Sequence, residues 1–269
     1  MLIARIITAT ILLAACIGAM FLLAPFWWSA LLLAILLAAG HEWSGLAGYS
    51  RSGRWVFCCA LVLSAMAISW AMAAGPMGVS GAGIERAVYG ASCIFWVVAV
   101  PAWLARGWQV RGTLALAATG WIVLVPTWLA LARLQADPAQ LLQILGIVWL
   151  ADTAAYATGR AWGRHKLAPR VSPGKTWEGV AGAAVAVAVY YVVLTAMAPA
   201  QPWAGGWAGM LIFAGVTAMS IVGDLFESLM KRQAGVKDSG ALLPGHGGVL
   251  DRIDGLLAAL PLAALLLRY

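Results

Sequence analysis

Long apolar stretches alternate with short polar breaks along the whole chain. A helix that crosses the hydrocarbon core of a membrane needs about 20 predominantly apolar residues, so a chain of 269 residues holds at most about ten of them. The pattern predicts an all-α, polytopic integral membrane protein with about nine transmembrane helices. The nine stretches are, in chain order, Ile3–Leu23, Phe26–Gly45, Trp55–Ala74, Ala87–Ala105, Leu114–Leu131, Leu141–Ala157, Val180–Ala198, Met210–Gly223 and Ile253–Leu267.

The composition points to the same class of protein. Hydrophobic residues make up 63% of the chain and charged residues 10%, with a mean hydropathy of +0.90. A soluble domain has about 45–50% apolar and about 25% charged residues, so soluble, disordered and fibrous proteins are excluded. The segment from Leu13 to Cys16 is similar to a lipoprotein cleavage box, but the apolar run continues to Leu23, which favours an uncleaved span.

The positive charges are strongly asymmetric across the predicted membrane. With nine spans, 14 of the 17 Lys and Arg residues fall on the side of the N-terminus, and only Arg86, Arg133 and Arg268 fall on the other. Cytoplasmic loops are enriched in Lys and Arg, so the N-terminus and the two long loops, between spans 6 and 7 and spans 8 and 9, are predicted to be cytoplasmic. The net charge of +7 is split among short loops, which suits a membrane surface and gives no reason to expect nucleic acid as a partner.

The acidic residues are concentrated near the C-terminal half of the chain. Ionisable groups at the ends of spans are costly unless they have partners, so they are candidates for function. Their mixture with cations indicates a metal–phosphate site. Seven of the ten acidic residues lie in or beside the last four spans and the two long loops: Asp152, Glu178, Asp224, Glu227, Asp238, Asp251 and Asp254.

Residues 228–254 form the densest charged block. Asp251 and Asp254 are three residues apart, as are Asp224 and Glu227, so each pair shares a face if helical. Carboxylate oxygens suit Mg²⁺, which usually takes one or two of them together with substrate phosphates. Glycines 245, 247 and 248 would let backbone amides approach a phosphate. The alternative is a cytoplasmic basic loop with internal ion pairs. The cations of the block are Lys231, Arg232, Lys237 and Arg252, and His246 lies among them as a phosphate donor or a structural residue.

A second block, at Gly174-Lys175-Thr176, is similar to the end of a P-loop. A P-loop requires a glycine at position 169, where this chain has proline, so that interpretation is rejected. Lys175, with the hydroxyls of Ser172 and Thr176, still precedes a helix and would suit a phosphate there. The alternative is a helix cap, with Thr176 or Ser172 as N-cap and Glu178 in the first turn. Both interpretations stay open.

The block at 228–254 resembles the signature of the phosphatidate cytidylyltransferase family (CDP-diacylglycerol synthases). The signature reads Ser-x-x-Lys-Arg-x4-Lys-Asp-x-Gly-x3-Pro-x-His-Gly-Gly-x-x-Asp-Arg-x-Asp, and every fixed position matches. The resemblance extends to Asp152–Tyr156, Gly159-Arg160 and Ser172–Gly179, so it covers about residues 140–269. We therefore divide the single membrane domain into helices 1–5 (residues 1–138), whose role stays open, and a catalytic region (residues 139–269).

The resemblance implies the transfer of CMP from CTP to phosphatidate. It implies Mg²⁺, with a second cation left open, and Asp224 and Asp251 as metal ligands. It further implies the two substrates, the bilayer and a second copy of the chain as partners, in a bacterial inner membrane. Asp224, Asp251, Asp254, Lys237 and Arg252 are the predicted catalytic residues. The predicted substrate-binding residues are Asp152, Ser172, Lys175, Thr176, Lys231, Arg232, Asp238 and His246.

Two other functions remain as alternatives. A CTP-dependent polyprenol or phytol kinase is a related membrane enzyme, and the intact His-Gly-Gly-x-x-Asp-Arg-x-Asp block favours the cytidylyltransferase over it. An ion-coupled transporter would also contain carboxylates in the membrane, but its ions bind near the midplane between repeated halves, and no repeat is visible here. For Asp152, a polar contact between helices is the alternative to a role in the site, and His41-Glu42 are interpreted as structural.

Overall fold

The computed structural model describes residues 2–74, 80–199, 201, 203–243, 245 and 247–268. Within these ranges each predicted apolar stretch coincides with one helical rod, so the all-α polytopic prediction is confirmed. The fourth rod, Gly81–Arg106, is α4 and α5 joined by a π-helical segment at Phe95–Ala99. The helices are α1 (Leu2–Leu22), α2 (Pro25–Leu46), α3 (Arg51–Ala74), α4 (Gly81–Ile94), α5 (Val100–Arg106), α6 (Thr113–Leu134), α7 (Pro138–Trp162), α8 (Trp177–Met197), α9 (Gly206–Gln233) and α10 (Leu250–Arg268).

Among the described residues, seven of these rods are long and apolar enough to cross a membrane by length and composition. They are α2, α3, the α4–α5 rod, α6, α7, α8 and α9. The remaining rods are α1 and α10, and α10 carries three charged residues in its first two turns. The protein is therefore an integral membrane protein.

The largest boundary error lies in α9, which continues to Gln233, ten residues past the predicted end of span 8 at Gly223. Residues 224–233 contain mostly good helix formers such as Leu, Glu, Met, Lys and Arg, so the helix persists although its apolar run stops. Lys231 and Arg232 accordingly lie in its last turn, and not in a loop as predicted.

The predicted loop between spans 6 and 7 contains a short antiparallel ribbon. Strand β1 (Lys166–Ala168) pairs with β2 (Ser172–Thr176), with Lys166 opposite Thr176. The ribbon leads directly into α8, where the Thr176 hydroxyl accepts a hydrogen bond from the Gly179 amide at 3.1 Å. Of the two predicted N-cap residues, Thr176 is confirmed, while Ser172 lies at the start of β2.

Helix α10 lies at the centre of the bundle. It packs against α2, α4 and α6 from the first part of the chain and against α7 and α9 from the second. Its middle is fully buried, from Leu257 to Leu260, and the Thr127 hydroxyl on α6 donates to the Leu257 carbonyl at 3.0 Å. Residues 1–138 and 139–269 therefore share one core around the helix that carries the end of the signature.

Candidate active site

A polar cavity of about 560 Å³ opens between α7, α9 and the start of α10, with β2 and the first turn of α8 on its rim. Seven of the residues that the sequence predicts for the site line it, together with Tyr156 and Arg160. The seven are Asp152, Ser172, Lys175, Thr176, Asp224, Asp251 and Asp254.

Close contact between α9 and α10 brings the carboxylates of the two helices together. A Cβ atom on Gly223 would collide with the backbone carbonyl oxygen of Asp254 and would lie 3.4 Å from the Cα of Gly255. Small residues let helices in a membrane approach to backbone contact. Since Gly223 precedes Asp224 and Gly255 follows Asp254, this contact holds the two carboxyl groups at the same level of the bundle.

Three carboxylates and one ammonium group interact within the cavity. Asp152, Asp224 and Asp254 lie close enough to repel one another, and Lys175 attracts both Asp152 and Asp254. The Lys175 Nζ lies 2.6 Å from Asp224 Oδ2. Because one ammonium group does not balance three carboxylates, this wall of the cavity is suited to further cations.

Asp251 is held by a dense set of hydrogen bonds. Its Oδ1 accepts from Lys231 Nζ at 2.7 Å. Its Oδ2 accepts from the Gly248 amide at 2.8 Å, from the Ser239 amide at 2.9 Å and from the Ser239 hydroxyl at 3.0 Å. Lys231 also forms an ion pair with the buried Glu227 one turn earlier on α9. The carboxylate is therefore fixed in position at the edge of the cavity.

The donor set fits a magnesium ion that is bound jointly with phosphate. Within the described ranges, no three carboxylate, imidazole or thiol groups are arranged to hold a metal ion alone. Mg²⁺ commonly takes one or two protein carboxylates and completes its coordination with substrate phosphates and water. Asp224 and Asp251 both line the cavity. Asp224 meets only Lys175 at Oδ2 and Ser228 at Oδ1 among the described residues, and the Oδ1 of Asp251 keeps one lone pair beyond its bond to Lys231.

Five predicted site residues do not line the cavity in the part of the chain that the structure describes. The ammonium of Lys231 is occupied by Glu227 and Asp251. Arg232 is exposed, and its Nε donates to the Val171 carbonyl at 3.4 Å. The other three, Lys237, Asp238 and Arg252, are exposed. The prediction for His246 lies outside the described residues.

Two further polar residues of the cavity wall are not among the predicted site residues, although both lie in segments that carry the family resemblance. Tyr156 and Arg160 line the cavity, and the Arg160 Nη1 donates to the Tyr156 hydroxyl at 2.9 Å. Their spacing from Asp152, four and eight residues, places all three on one face of α7. That spacing was the signal that could have found them.

An apolar cavity of about 180 Å³ adjoins the polar one between α8 and α9. Val180 and Ile221 line both cavities, and Val187, Tyr191 and Phe213 lie farther along the apolar one. A larger groove of about 740 Å³ runs between α7 and α8. Its lining consists mostly of small apolar side chains, and Glu178 is the charged residue in it. The charged side chains are therefore concentrated in the polar cavity, which is the candidate site.

Comparison with known proteins gives consistent matches. The model of the cytidylyltransferase family matches residues 3–269. The phosphatidate cytidylyltransferase of Pseudomonas aeruginosa is 38% identical over 269 residues, which cover 98% of this chain and 96% of that protein. The enzyme of the same name from Haemophilus influenzae is 49% identical over 123 residues, 45% of this chain and 43% of that protein. The one from Brucella suis is 54% identical over 116 residues, 43% of this chain and 42% of that protein.

Proposed function

The chain belongs to the cytidylyltransferase family, and on that premise we propose that it is a phosphatidate cytidylyltransferase. It transfers CMP from CTP to phosphatidate and releases CDP-diacylglycerol and pyrophosphate, a step of phospholipid biosynthesis. The alternatives differ from it in the fate of the CTP phosphates. A CTP-dependent lipid kinase transfers the γ-phosphate and releases CDP, and an ion-coupled transporter does not use CTP.

The observation that carries the proposal is the junction of the polar and apolar cavities at Val180 and Ile221. A substrate with a phosphate headgroup and acyl chains needs both environments side by side. The headgroup suits the part near Lys175, and an acyl chain suits the part lined by Val187 and Phe213, between α8 and α9. A transporter for a small ion has no use for such an apolar extension.

The reaction is a displacement at phosphorus. A phosphate oxygen of phosphatidate attacks the α-phosphorus of CTP, the bond from that phosphorus to the α–β bridging oxygen breaks, and pyrophosphate leaves with that electron pair. The attacking oxygen is already anionic, so little base catalysis is needed. The barrier is the approach of two anions, and catalysis consists of positioning and charge neutralisation. Lys175 and Arg160 are the cations on the cavity wall that serve this purpose.

We propose Asp224 and Asp251 as the protein ligands of Mg²⁺, with Asp152 and Asp254 adding negative charge nearby. A magnesium ion bound there would neutralise nucleotide phosphates and stabilise the departing pyrophosphate. Lys231 acts on Asp251, as their 2.7 Å contact indicates. The exposed Lys237 and Arg252 are proposed to meet the part of CTP that extends from the cavity.

The test of this function uses purified protein in detergent with phosphatidate, CTP and Mg²⁺. We expect CDP-diacylglycerol and pyrophosphate in equal amounts by mass spectrometry and phosphate analysis, and no product when Mg²⁺ is replaced by a chelator. A parallel reaction with a polyprenol as acceptor should give no phosphorylated alcohol. Formation of that alcohol with CDP, and no lipid nucleotide, would establish the kinase alternative.

We further propose that the protein lies in a bacterial inner membrane, as a homodimer, with its N-terminus and active site cytoplasmic. The 14-to-3 distribution of cations supports the orientation, and the need for aqueous CTP supports a cytoplasmic opening. The homodimer is supported by the family resemblance, and light scattering of the detergent-solubilised protein would test it.

Single cysteines test the orientation. Val236 follows α9 and is 41% exposed, and Ala136 lies exposed in the turn between α6 and α7. In a background with the four native cysteines replaced, we expect a membrane-impermeant maleimide to label Ala136→Cys in intact cells and to label Val236→Cys only after the cells are opened. The reverse pattern would overturn the topology.

A further inference from the structure

Glu42, near the end of α2, is a buried carboxylate that the proposed chemistry does not use. Glu42 is 7% exposed. Its oxygens accept hydrogen bonds from the Val249 amide at 2.9 Å, the Leu250 amide at 2.9 Å and the Ser239 hydroxyl at 3.0 Å. These partners lie 197 to 208 residues away in sequence. A residue of the first half of the chain therefore holds the middle of the signature.

Two of these bonds fix the beginning of α10. Val249 and Leu250 stand at the first turn of that helix, where backbone amides have no partner inside the helix. A side-chain acceptor at this position normally comes from the neighbouring sequence, but here the carboxylate of Glu42 supplies it from another helix. Its negative charge also suits the positive end of the helix dipole. The start of α10 carries Asp251, so the capping bonds fix the backbone that presents this carboxylate.

The third bond links Glu42 to Asp251 through Ser239. The Ser239 hydroxyl lies 3.0 Å from Glu42 Oε2 and 3.0 Å from Asp251 Oδ2, and its single proton serves one of them at a time. The Ser239 amide donates to the same Asp251 oxygen at 2.9 Å. Ser239 is thus held between the two carboxylates, and Asp251 is oriented from the side opposite Lys231.

Two signature glycines leave the space that Glu42 occupies. A Cβ atom on Gly240 would lie 2.6 Å from Glu42 Oε1, and one on Gly248 would lie 2.7 Å from the Glu42 Cδ. The Gly248 amide binds Asp251, so it is not free for a phosphate as the sequence suggested. These glycines allow the two signature segments Ser239-Gly240 and Gly248-Val249, together called the signature turn, to close around the Glu42 carboxylate from α2.

We propose that Glu42 is a positioning residue for the transfer reaction, acting through Ser239 and the first turn of α10 on Asp251. Its effect on turnover rests on the proposed function, whereas its effect on the signature turn does not. The first part of the chain thereby contributes to the active site.

The test compares Glu42→Gln with Glu85→Gln. Glu85, on α4, is 6% exposed and lies 3.7 Å from Arg133, so it is another buried glutamate in the first part of the chain, away from the signature. We expect Glu42→Gln to lower kcat about 10- to 100-fold, the scale of a slightly misplaced reacting group, with KM for CTP changed less than about threefold. Glu85→Gln should keep kcat within about twofold. Glu42→Asp, which keeps the charge but shortens the reach, should fall between Glu42→Gln and wild type.

Hydrogen–deuterium exchange gives a readout that does not need activity. In Glu42→Gln, peptides covering residues 239–251 should exchange faster than in wild type, because the Val249 and Leu250 amides lose a charged acceptor, and in Glu85→Gln they should not. Unchanged exchange in Glu42→Gln would overturn the proposal. The proposal would also be overturned if Glu42→Gln melted at a lower temperature than wild type but kept its kcat per folded enzyme within twofold of wild type. If the wild type made no CDP-diacylglycerol, the proposed function would fail while the exchange experiment still tested the contact.

Discussion

Replacing Asp224 by Asn should lower turnover about 100-fold or more, the scale on which removal of one preorganised electrostatic group acts. The substitution keeps the shape of the side chain and removes the negative charge that faces Lys175 at 2.6 Å. Asp224 is 29% exposed at its side chain, toward the cavity, so the fold has little reason to change. Initial rates of CDP-diacylglycerol formation at saturating Mg²⁺ measure the effect.

Asp137→Asn is the matched control. Asp137 is the N-cap of α7, at the end of that helix away from Asp152 and the cavity, and it accepts a hydrogen bond from the Gln140 amide at 3.0 Å. Asn caps helices as well as Asp does. We expect its rate to stay within about twofold of wild type. Near-wild-type turnover in Asp224→Asn would remove Asp224 from the site.

Asp251→Asn should abolish turnover as well, but with a second effect. An amide in place of this carboxylate can turn only one acceptor oxygen toward the donors of Lys231, Ser239 and Gly248. We therefore expect a lower melting temperature in detergent besides the lost rate, whereas Asp224→Asn should melt like wild type. This difference separates the residue that only faces the cavity from the residue that also holds the signature turn.

Lys175→Met should lower kcat/KM by about tenfold to more than a hundredfold. A hydrogen bond to a charged group contributes about 1.5–3 kcal/mol, and each 1.36 kcal/mol corresponds to tenfold in rate. Lys175 lines the cavity on β2 and attracts the carboxylates on all three surrounding helices. Met preserves much of the side chain's length, so the loss isolates the charge. Kinetics with CTP and phosphatidate varied in turn would show which substrate the ammonium contacts.

The neighbouring Thr176→Ala is the control for structure. Thr176 caps α8 and is 4% exposed, and the loss of an N-cap costs about 1 kcal/mol of stability. We expect a lower melting temperature with kinetics changed less than in Lys175→Met. If Lys175→Met instead turned over normally and melted early, Lys175 would be a structural residue of the ribbon.

Local spacing was sufficient to predict much of the site. Asp251 and Asp254 are three residues apart on α10, and both line the cavity as their shared helical face predicted. The apolar runs located every helical rod within the described ranges, because a bilayer requires about 20 such residues in each. Helix ends were less certain, since α9 continues through polar residues whose helix propensity outlasts the apolar run.

Pairing across the fold could not be predicted from spacing. Lys231 looked like a phosphate ligand because it lies in a basic block, but Glu227 and Asp251 surround its ammonium in space. Glu42 looked structural because nothing near it in sequence suggested chemistry, and its contacts lie at Ser239, Val249 and Leu250. These contacts of Glu42 arise only in the folded chain, where the start of α10 packs against α2.

The fate of each phosphate of CTP tests the central claim most directly. Purified protein is incubated with phosphatidate, Mg²⁺ and CTP labelled either at the α-phosphate or at the γ-phosphate, and the lipid and aqueous phases are counted separately. The account predicts that the α-label enters the lipid in a 1:1 ratio to pyrophosphate formed, while all of the γ-label stays in water as pyrophosphate. Recovery of the γ-label in the lipid, or of neither label, would contradict it.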